Sequence, residues 1–315
     1  MLALFSGCDR HEDTKFPTYG GTSEPLYVER SIVIEGRTRT WHLKVPTASR
    51  EGRPLPLVLA LHGGGGTGAR LHELAGLDAT ADKYGFFLAY PDGVDKNWND
   101  GRADPHTTAH QEEVPDVAFI AKIIDEMSHT YLVDRERVFA LGISNGAMMS
   151  SRLACELSDR IAGVALVAGT MPRSIQNVCA PKRPVSFLLM FGTEDPIVPY
   201  AGGEVRIRNM RARGMVISAE GTVAEWVRHD GCEGAAEESS FPDTNPTDGS
   251  TVHVQGWTRC KEGAAVEFYR IKGGGHTWPG GWQYMNEKWI GTTNRDIDAR
   301  EEIWRFFATH PRRSP

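Results

Sequence analysis

The chain has 315 residues, 40% of them hydrophobic and 24% charged, which is typical of a globular protein with a sizeable core. Its net charge of -6 argues against a nucleic-acid partner, because phosphate binding needs clustered lysines and arginines. No apolar run approaches the ~20 residues that cross a bilayer, so the sequence predicts no transmembrane helix.

Residues 1–26 are interpreted as the end of an export signal followed by a polar linker. An apolar stretch and small residues precede Cys8, as in a bacterial lipoprotein signal. A lipid anchor on Cys8 is therefore one interpretation, and an incidental cysteine in a terminal arm is the other. Residues 27–315 are expected to form a single domain.

The chain contains five cysteines, an odd number that leaves one unpaired if the others form disulfides. If Cys8 carries a lipid, four cysteines remain for two bridges, which would fit an oxidising compartment. The alternative is four buried free thiols in a cytosolic protein.

The predicted elements begin with two β-rich runs, 26–34 and 38–45, joined by a short connection that contains Gly36. This pattern predicts an antiparallel hairpin. Residues 55–61 are a continuous apolar run, which predicts a strand buried on both faces of a parallel sheet. The other predicted strands are 86–90, 138–142, 161–167, 185–191 and 266–271. The predicted helices are 69–84, 117–131, 146–157, 222–229 and 296–309.

Alternating strands and helices of this kind predict an α/β fold: a mostly parallel central sheet with an antiparallel N-terminal edge and helices on both faces. Residues 233–250 are acidic and rich in turn-forming residues, so an exposed excursion is expected there. Asp243 and Asp248 within it are weak calcium candidates, because the spacing of an EF-hand is missing.

Residues 142–146 read Gly-Ile-Ser-Asn-Gly, a G-x-S-x-G pattern placed between a predicted strand and a predicted helix. In this context the pattern predicts a nucleophile elbow, a strained turn that exposes the hydroxyl of Ser144. The flanking glycines are needed because side chains there would collide with neighbouring backbone. A chance match or a plain turn is the alternative.

A glycine-rich loop, residues 62–66, follows the strand 55–61 and resembles an oxyanion-hole loop. It predicts that backbone N–H groups at Gly63 and Asn145 stabilise a developing oxyanion. The same loop formally matches a dinucleotide fingerprint, with Asp92 near the position of the ribose-binding acid. A purely structural turn is a third reading.

The remaining catalytic residues should follow Ser144 in chain order, as acid and then histidine. Asp195 follows the strand 185–191 and is the predicted acid, with Glu194 as its competitor. His276 follows the strand 266–271 in a glycine-rich loop and is the predicted general base, since imidazole can accept and return the serine proton near neutral pH.

Other polar and aromatic residues are candidates for the substrate site. His62 and three tryptophans, Trp98, Trp278 and Trp282, are predicted to contact substrate, the tryptophans as an aromatic platform with ordinary packing as the alternative. His106 and His110 could be mistaken for metal ligands, but the H-E-x-x-H order is missing. No metal and no cofactor are predicted.

Several motifs together carry a family resemblance: residues 62–65, 97–102, 116–120, 142–146, 192–200 and 273–280. They resemble the bacterial polyhydroxybutyrate depolymerase/feruloyl esterase family of α/β-hydrolases, over roughly residues 31–307. One departure is Ala147, where the family frequently has a second glycine. The resemblance implies a catalytic triad of Ser144, Asp195 and His276, an oxyanion hole at Gly63 and Asn145, and export from the cytoplasm. It also implies the disulfide pairs Cys155–Cys179 and Cys232–Cys260.

The expected function is that of a serine carboxylic-ester hydrolase that forms an acyl-enzyme, acting on feruloyl or acetyl esters of aryl compounds or carbohydrate. Hydrolysis of a polyester, polyhydroxybutyrate or a synthetic aromatic one, is the alternative. The expected partners are thus a small ester, an ester-decorated polysaccharide or a polyester, with membrane contact only through a lipid on Cys8. A catalytically silent binding protein and a peptidase are rivals from other classes.

Overall fold

A computed structural model describes residues 27–207 and 210–312. Cys8, and with it the predicted lipid anchor, lies outside the described residues. No helix among the described residues is long and apolar enough to cross a membrane.

Twelve strands are present in the described part of the chain, and ten of them form one sheet. The strands are β1 (Tyr27–Ile34), β2 (Arg37–Lys44), β3 (Leu55–Leu61), β4 (Phe87–Pro91), β5 (Val133–Ile143), β6 (Gly163–Val167), β7 (Ser186–Gly192), β8 (Gly203–Glu204), β9 (Met215–Val216), β10 (Glu237–Ser240), β11 (Thr251–Trp257) and β12 (Val266–Lys272). Strands β8 and β9 pair separately as a two-stranded ribbon.

The order of strands in the sheet is β1-β2-β4-β3-β5-β6-β7-β12-β11-β10. The six central strands, β4 to β12 in this order, are parallel, and β1 and β2 form the predicted antiparallel edge. The chain runs outward from β3 in one direction to β4 and in the other to β5. This reversal opens a crevice at the carboxyl ends of β3 and β5, where ligands bind in open α/β sheets.

The opposite edge of the sheet was only partly predicted. Strand β11 pairs antiparallel with β12, and β10 pairs antiparallel with β11. Strand β10 lies within residues 233–250, for which the sequence predicted only an exposed excursion, and β11 directly follows them. β10 is exposed along its length and has the sequence Glu-Glu-Ser-Ser, so it lacks the alternating apolar pattern that identifies a strand.

Nine α-helices are present in the described residues: α1 (Gly68–Ala75), α2 (Leu77–Tyr84), α3 (Thr108–Gln111), α4 (Asp116–Thr130), α5 (Asn145–Glu156), α6 (Arg173–Gln176), α7 (Ala219–His229), α8 (Glu287–Ile290) and α9 (Ala299–Thr309). The single helix predicted over 69–84 is two helices, because Gly76 adopts a left-handed conformation with φ 59° that ends α1.

The core consists of two clusters, one on each face of the sheet. Alternate side chains of β3 enter different clusters, Leu57 and Leu59 on one face and Val58 and Ala60 on the other. Helices α4, α5 and α7 cover the first face, while α1, α2 and α9 cover the second. The mostly parallel sheet with helices on both faces is thereby confirmed.

Two disulfides join Cys155 to Cys179 and Cys232 to Cys260, as the resemblance implied. Their sequence separations are 24 and 28 residues, and loops of that size are each stabilised by about 3 kcal/mol in the chain-entropy account. The first bridge ties the end of α5 to the segment after α6.

Asp230 is a buried carboxylic acid directly after α7. Its Oδ1 accepts a hydrogen bond of 3.0 Å from the backbone N–H of Val185, and its Oδ2 has no partner within the described part of the chain. Burial raises the pKa of Asp230 from 3.8 to about 8, because the ionised form is poorly solvated there. Between these two pKa values, the folded protein therefore keeps a proton on Asp230 that the unfolded chain releases.

We expect stability to depend on pH through Asp230. Between its unfolded pKa of 3.8 and its folded pKa of about 8, the folded state binds more protons, so the free energy of unfolding falls as pH rises. Asp230→Asn stays neutral and can keep the Val185 bond, so its Tm should rise relative to wild type between about pH 5 and about pH 9. Thermal unfolding across that range measures the difference, and a constant offset would contradict the assignment.

Candidate active site

Ser144 lies at the turn between β5 and α5, at the edge of the crevice. Its φ of 57° and ψ of -119° are unusual for a residue with a side chain, which marks a strained turn. The turn packs directly against β3, since a Cβ on Gly146 would lie 2.2 Å from the carbonyl oxygen of Leu61. The strand-turn-helix context that the sequence predicted for Ser144 is present.

His276 and Asp195 lie on loops after the neighbouring parallel strands β12 and β7. The Nδ1 of His276 is 2.7 Å from Oδ2 of Asp195, and both residues are buried. The other oxygen of Asp195 accepts the backbone N–H groups of Ile197 and Val198 at 2.8 and 2.9 Å. Glu194, the competing acid, is exposed and makes no side-chain hydrogen bond to a described residue.

A carboxylate on Nδ1 fixes the tautomer of His276. Because Asp195 can only accept there, Nδ1 carries the proton and Nε2 presents its lone pair. The ring is held from the backbone side as well, since the His276 N–H donates to the carbonyl of Ile290 and its own carbonyl accepts the hydroxyl of Tyr284 at 2.7 Å. Burial and the Asp195 charge raise the pKa of Tyr284, so that hydroxyl stays a donor.

The glycine-rich loop offers free backbone donors next to Ser144. The N–H groups of Gly65 and Gly66 are committed to carbonyls at Lys96 and Gly63. Those of Gly63 and Gly64 have no partner among residues 27–207 and 210–312. Gly63 packs against the serine, since a Cβ there would lie 3.4 Å from the Ser144 Cβ. The N–H of Gly64 is thus a candidate donor to the oxyanion in addition to those of Gly63 and Asn145, and the sequence did not predict it.

Asn145 is the first residue of α5, and the N–H groups of a first helical turn have no intrahelical acceptor. Its side chain is buried and holds the neighbouring loop: Oδ1 accepts the N–H of Trp98 at 2.8 Å, and Nδ2 donates to Asp100 at 2.6 Å. The side chain therefore fixes the backbone whose N–H faces the crevice.

His62 lies in the cavity wall but is committed to the backbone. Its Nε2 accepts the N–H of Gly93 at 2.9 Å, so Nδ1 carries the proton and donates to the carbonyl of Gly63 at 2.8 Å. Burial lowers the pKa of His62 to about 4, which keeps the ring neutral. With both nitrogens used, His62 positions the loop, and the expected polar contact with substrate is not available.

The three tryptophans predicted as an aromatic platform separate in the structure. Trp98 and Trp278 are buried, at 0% and 1% exposure, and neither lines the cavity. Trp98 instead donates its indole N–H to the carbonyl of His62 at 2.9 Å. The platform prediction is therefore wrong for these two residues. Trp282 lines the cavity and is 55% exposed.

A cavity of about 530 Å³ lies over Ser144 and His276. The glycine loop forms one side. Its outer wall comes from the segment before and within α8, where Trp282, Met285 and Trp289 are partly exposed apolar side chains. Ser144 and His276 thus share one open cavity with an apolar rim.

The residues considered for a dinucleotide or a metal ion are occupied by other interactions in the structure. Asp92 accepts the N–H of Gly68 at 2.8 Å and the hydroxyl of Thr40 at 2.9 Å, so its carboxylate caps the start of α1 and is not free for a ribose. His110 bonds to Thr107 and Asp100. Among the described residues no three His, Cys, Asp or Glu side chains form a group that could hold a metal ion.

Fold and site geometry define an α/β-hydrolase. Residues 46–232 match the model of the phospholipase/carboxylesterase family, and the chain belongs to that family. It is an esterase family by description, and the chain is accordingly a carboxylic-ester hydrolase.

Named relatives are also esterases. The chain is 34% identical over 281 residues to "Putative esterase NocK" of Nocardia uniformis subsp. tsuyamanensis, covering 86% of this chain and 80% of that protein. It is 28% identical over 243 residues to feruloyl esterase B of Piromyces equi, covering 74% of this chain but only 42% of that longer protein. The solved acetyl xylan esterase from Aspergillus awamori shares the fold, with a TM-score of 0.58 at 14% identity over 90% of this chain and 99% of that one.

Proposed function

We propose that this protein is a serine esterase in which Ser144 is the nucleophile, His276 the general base and Asp195 its orienting acid. The observation that carries the proposal is the shared cavity: a serine on a strained turn, a histidine bonded at 2.7 Å to a buried carboxylate, and two glycine N–H groups that have no partner among the described residues. This is the set of parts that acyl transfer requires.

In the first step the Ser144 hydroxyl oxygen attacks the ester carbonyl carbon while Nε2 of His276 takes the hydroxyl proton. The N–H groups of Gly63 and Asn145 receive the oxyanion, with Gly64 as a further donor. The carbonyl then re-forms, the alkoxide leaves with the proton from His276, and an acyl-serine remains.

In the second step water replaces the alcohol. His276 takes a proton from the water as it attacks the acyl carbon, and returns it to the Ser144 oxygen when the carboxylic acid departs. Asp195 accepts the hydrogen bond from Nδ1 of His276 and stabilises the imidazolium formed in each step. The cycle consumes one water per ester and needs no cofactor.

Feruloyl or acetyl esters on carbohydrate are the proposed substrates. Relatives named feruloyl esterase and acetylxylan esterase support this assignment. The exposed apolar rim around Trp282 and Trp289 could pack on an aryl group. The same rim favours one alternative, a polyester such as polyhydroxybutyrate, because an exposed apolar surface can also rest on a solid polymer.

Export from the cytoplasm is part of the proposal. Two disulfides within one chain are typical of oxidising compartments, which supports a periplasmic or secreted location. Lipid attachment at Cys8 would make it membrane-anchored. Metabolic labelling with a palmitate analogue, comparing the full chain with Cys8→Ala, tests the anchor.

The substrate assignment is tested by a panel of esters. We expect hydrolysis of p-nitrophenyl acetate, p-nitrophenyl butyrate and methyl ferulate, and release of acetate from acetylated xylan. Faster release of 3-hydroxybutyrate from a polyhydroxybutyrate film would favour the polyester alternative. Cleavage of the anilide analogue in preference to the ester would indicate a peptidase, and binding without turnover of any substrate would indicate a silent scaffold.

A further inference from the structure

Two arginines, Arg102 and Arg213 (the guanidinium pair), form one corner of the cavity. Both line the cavity that contains Ser144. A Cβ on Gly64 would lie 3.9 Å from Nη1 of Arg213, which places that guanidinium beside the oxyanion loop. Nothing in acyl transfer to a neutral ester requires positive charge at this position.

The Arg102 side chain is buried but has no hydrogen-bond partner among the described residues. Its residue is 5% exposed, and its Nε is fully buried without an acceptor in bonding geometry. It forms ion pairs with Asp100 at 3.2 Å and with Asp104 at 3.9 Å. A guanidinium has five donors, and Arg102 lines the cavity although its side chain is only 3% exposed.

Arg213 has two of its three side-chain nitrogens in hydrogen bonds to described residues. Its Nε donates to Asp104 at 2.9 Å and its Nη2 to the side chain of Asn97 at 3.3 Å, while Nη1 has no partner in the described part of the chain. The chain after it packs on the other arginine, since a Cβ on Gly214 would lie 2.3 Å from the Arg102 carbonyl oxygen.

The carboxylates that balance these charges lie behind the cavity wall. Asp100 and Asp104 are fully buried and do not line the cavity, whereas the guanidinium pair does. The buried carboxylates therefore hold the two arginines in place, and N–H donors, not carboxylate oxygens, line this part of the cavity. The Nη1 group of Arg213, held in place by the Asp104 and Asn97 bonds, can donate a charge-assisted hydrogen bond to a carboxylate in the cavity.

We propose that the guanidinium pair binds a carboxylate of the substrate, so that the enzyme selects esters carrying a negative charge. The inference rests on the proposed esterase function and narrows its substrate class. Two kinds of ester satisfy it: a monoester of a dicarboxylic acid, with the charge on the acyl side, and an ester next to an acidic group such as a uronic acid, with the charge on the alcohol side.

Matched pairs of substrates test the proposal on each side of the ester. p-Nitrophenyl hydrogen glutarate is compared with p-nitrophenyl pentanoate for the acyl side, and 4-acetoxybenzoate with its methyl ester for the alcohol side. We expect kcat/KM for the charged member of at least one pair to exceed that of its neutral partner about tenfold, because charge-assisted hydrogen bonds are the stronger ones. The pair that shows the preference identifies the side.

Variants then assign the preference to the guanidinium pair. Arg213→Gln should reduce the charged-to-neutral ratio about tenfold, mainly through KM, and Arg213→Lys should keep part of it, since a single ammonium retains the charge but not the fork. Arg206→Gln is the matched control, because Arg206 lies on the same connection between β8 and β9, pairs with Glu204 and does not line the cavity. About 0.5 M NaCl should lower the wild-type ratio as well, without any change to the fold.

A wild-type ratio of one or less in both pairs would overturn the proposal, as would equal ratios in Arg213→Gln and Arg206→Gln at normal melting temperatures. The neutral substrates keep the two hypotheses apart. If wild type cleaves them while showing no charge preference, only the carboxylate inference fails. If no ester of either kind is cleaved, the esterase function fails and this inference with it.

Discussion

Ser144→Ala is expected to lower kcat for p-nitrophenyl acetate by at least about 10³-fold, because no other group can form the acyl-enzyme. The fold should persist, since alanine keeps the Cβ and the elbow's close contacts are made by glycine backbone at positions 142 and 146. Initial rates with both proteins at matched concentration give the ratio, and thermal unfolding shows that the variant is folded.

A matched serine variant separates loss of the nucleophile from a general effect of substitution. Ser239→Ala is suitable, because Ser239 is exposed on β10 and does not line the cavity over Ser144. It should hydrolyse the ester at the wild-type rate. Substantial residual activity in Ser144→Ala, beyond what trace wild-type protein explains, would mean that another group carries the reaction.

Asp195→Asn should lower kcat by about 10³ to 10⁴-fold while leaving the fold intact. The reason lies in the hydrogen bonds around the carboxylate. One oxygen accepts the N–H groups of Ile197 and Val198, so an asparagine places its carbonyl oxygen there and its NH₂ toward His276. The amide would then donate to Nδ1, leaving the proton on Nε2, where it cannot accept the serine proton.

Glu194→Gln is the control for this experiment, because Glu194 is the neighbouring acid and is exposed. Its kcat should stay close to that of wild type. Wild-type activity in Asp195→Asn together with a large loss in Glu194→Gln would exchange the roles of the two acids. Steady-state kinetics with a saturating ester distinguishes these outcomes.

Much of the fold could be predicted from local sequence pattern. The central strand β3 was bounded correctly by a continuous apolar run, because both of its faces are buried. The pattern failed where burial is weak: β10 is a polar, exposed strand that forms only by pairing with β11. It also missed the break between α1 and α2, where one glycine in a left-handed conformation ends a helix that the apolar pattern continues through.

The placement of the candidate residues was predictable where chain order and turn chemistry constrain it: Ser144 lies at the strand-to-helix turn, and Asp195 and His276 lie on loops after predicted strands. What the sequence could not place are contacts between distant segments. Trp98 is the aromatic residue of an otherwise mostly polar motif, which suggested a substrate contact. In the structure its indole is fully buried and donates to the backbone carbonyl of His62. Arg213 and Arg102 line the same cavity because Gly214 packs on the backbone of Arg102, and no local sequence pattern predicts a contact between segments so far apart in the chain.

Covalent trapping tests whether Ser144 is the nucleophile. A fluorophosphonate is attacked by an activated serine with loss of fluoride, leaving a stable phosphonyl-serine. Mass spectrometry of the treated protein should show one adduct on the peptide that contains Ser144, with loss of esterase activity in proportion to labelling, and no adduct in Ser144→Ala. An adduct on another residue, or full esterase activity in protein that is completely labelled at Ser144, would show that Ser144 is not the nucleophile.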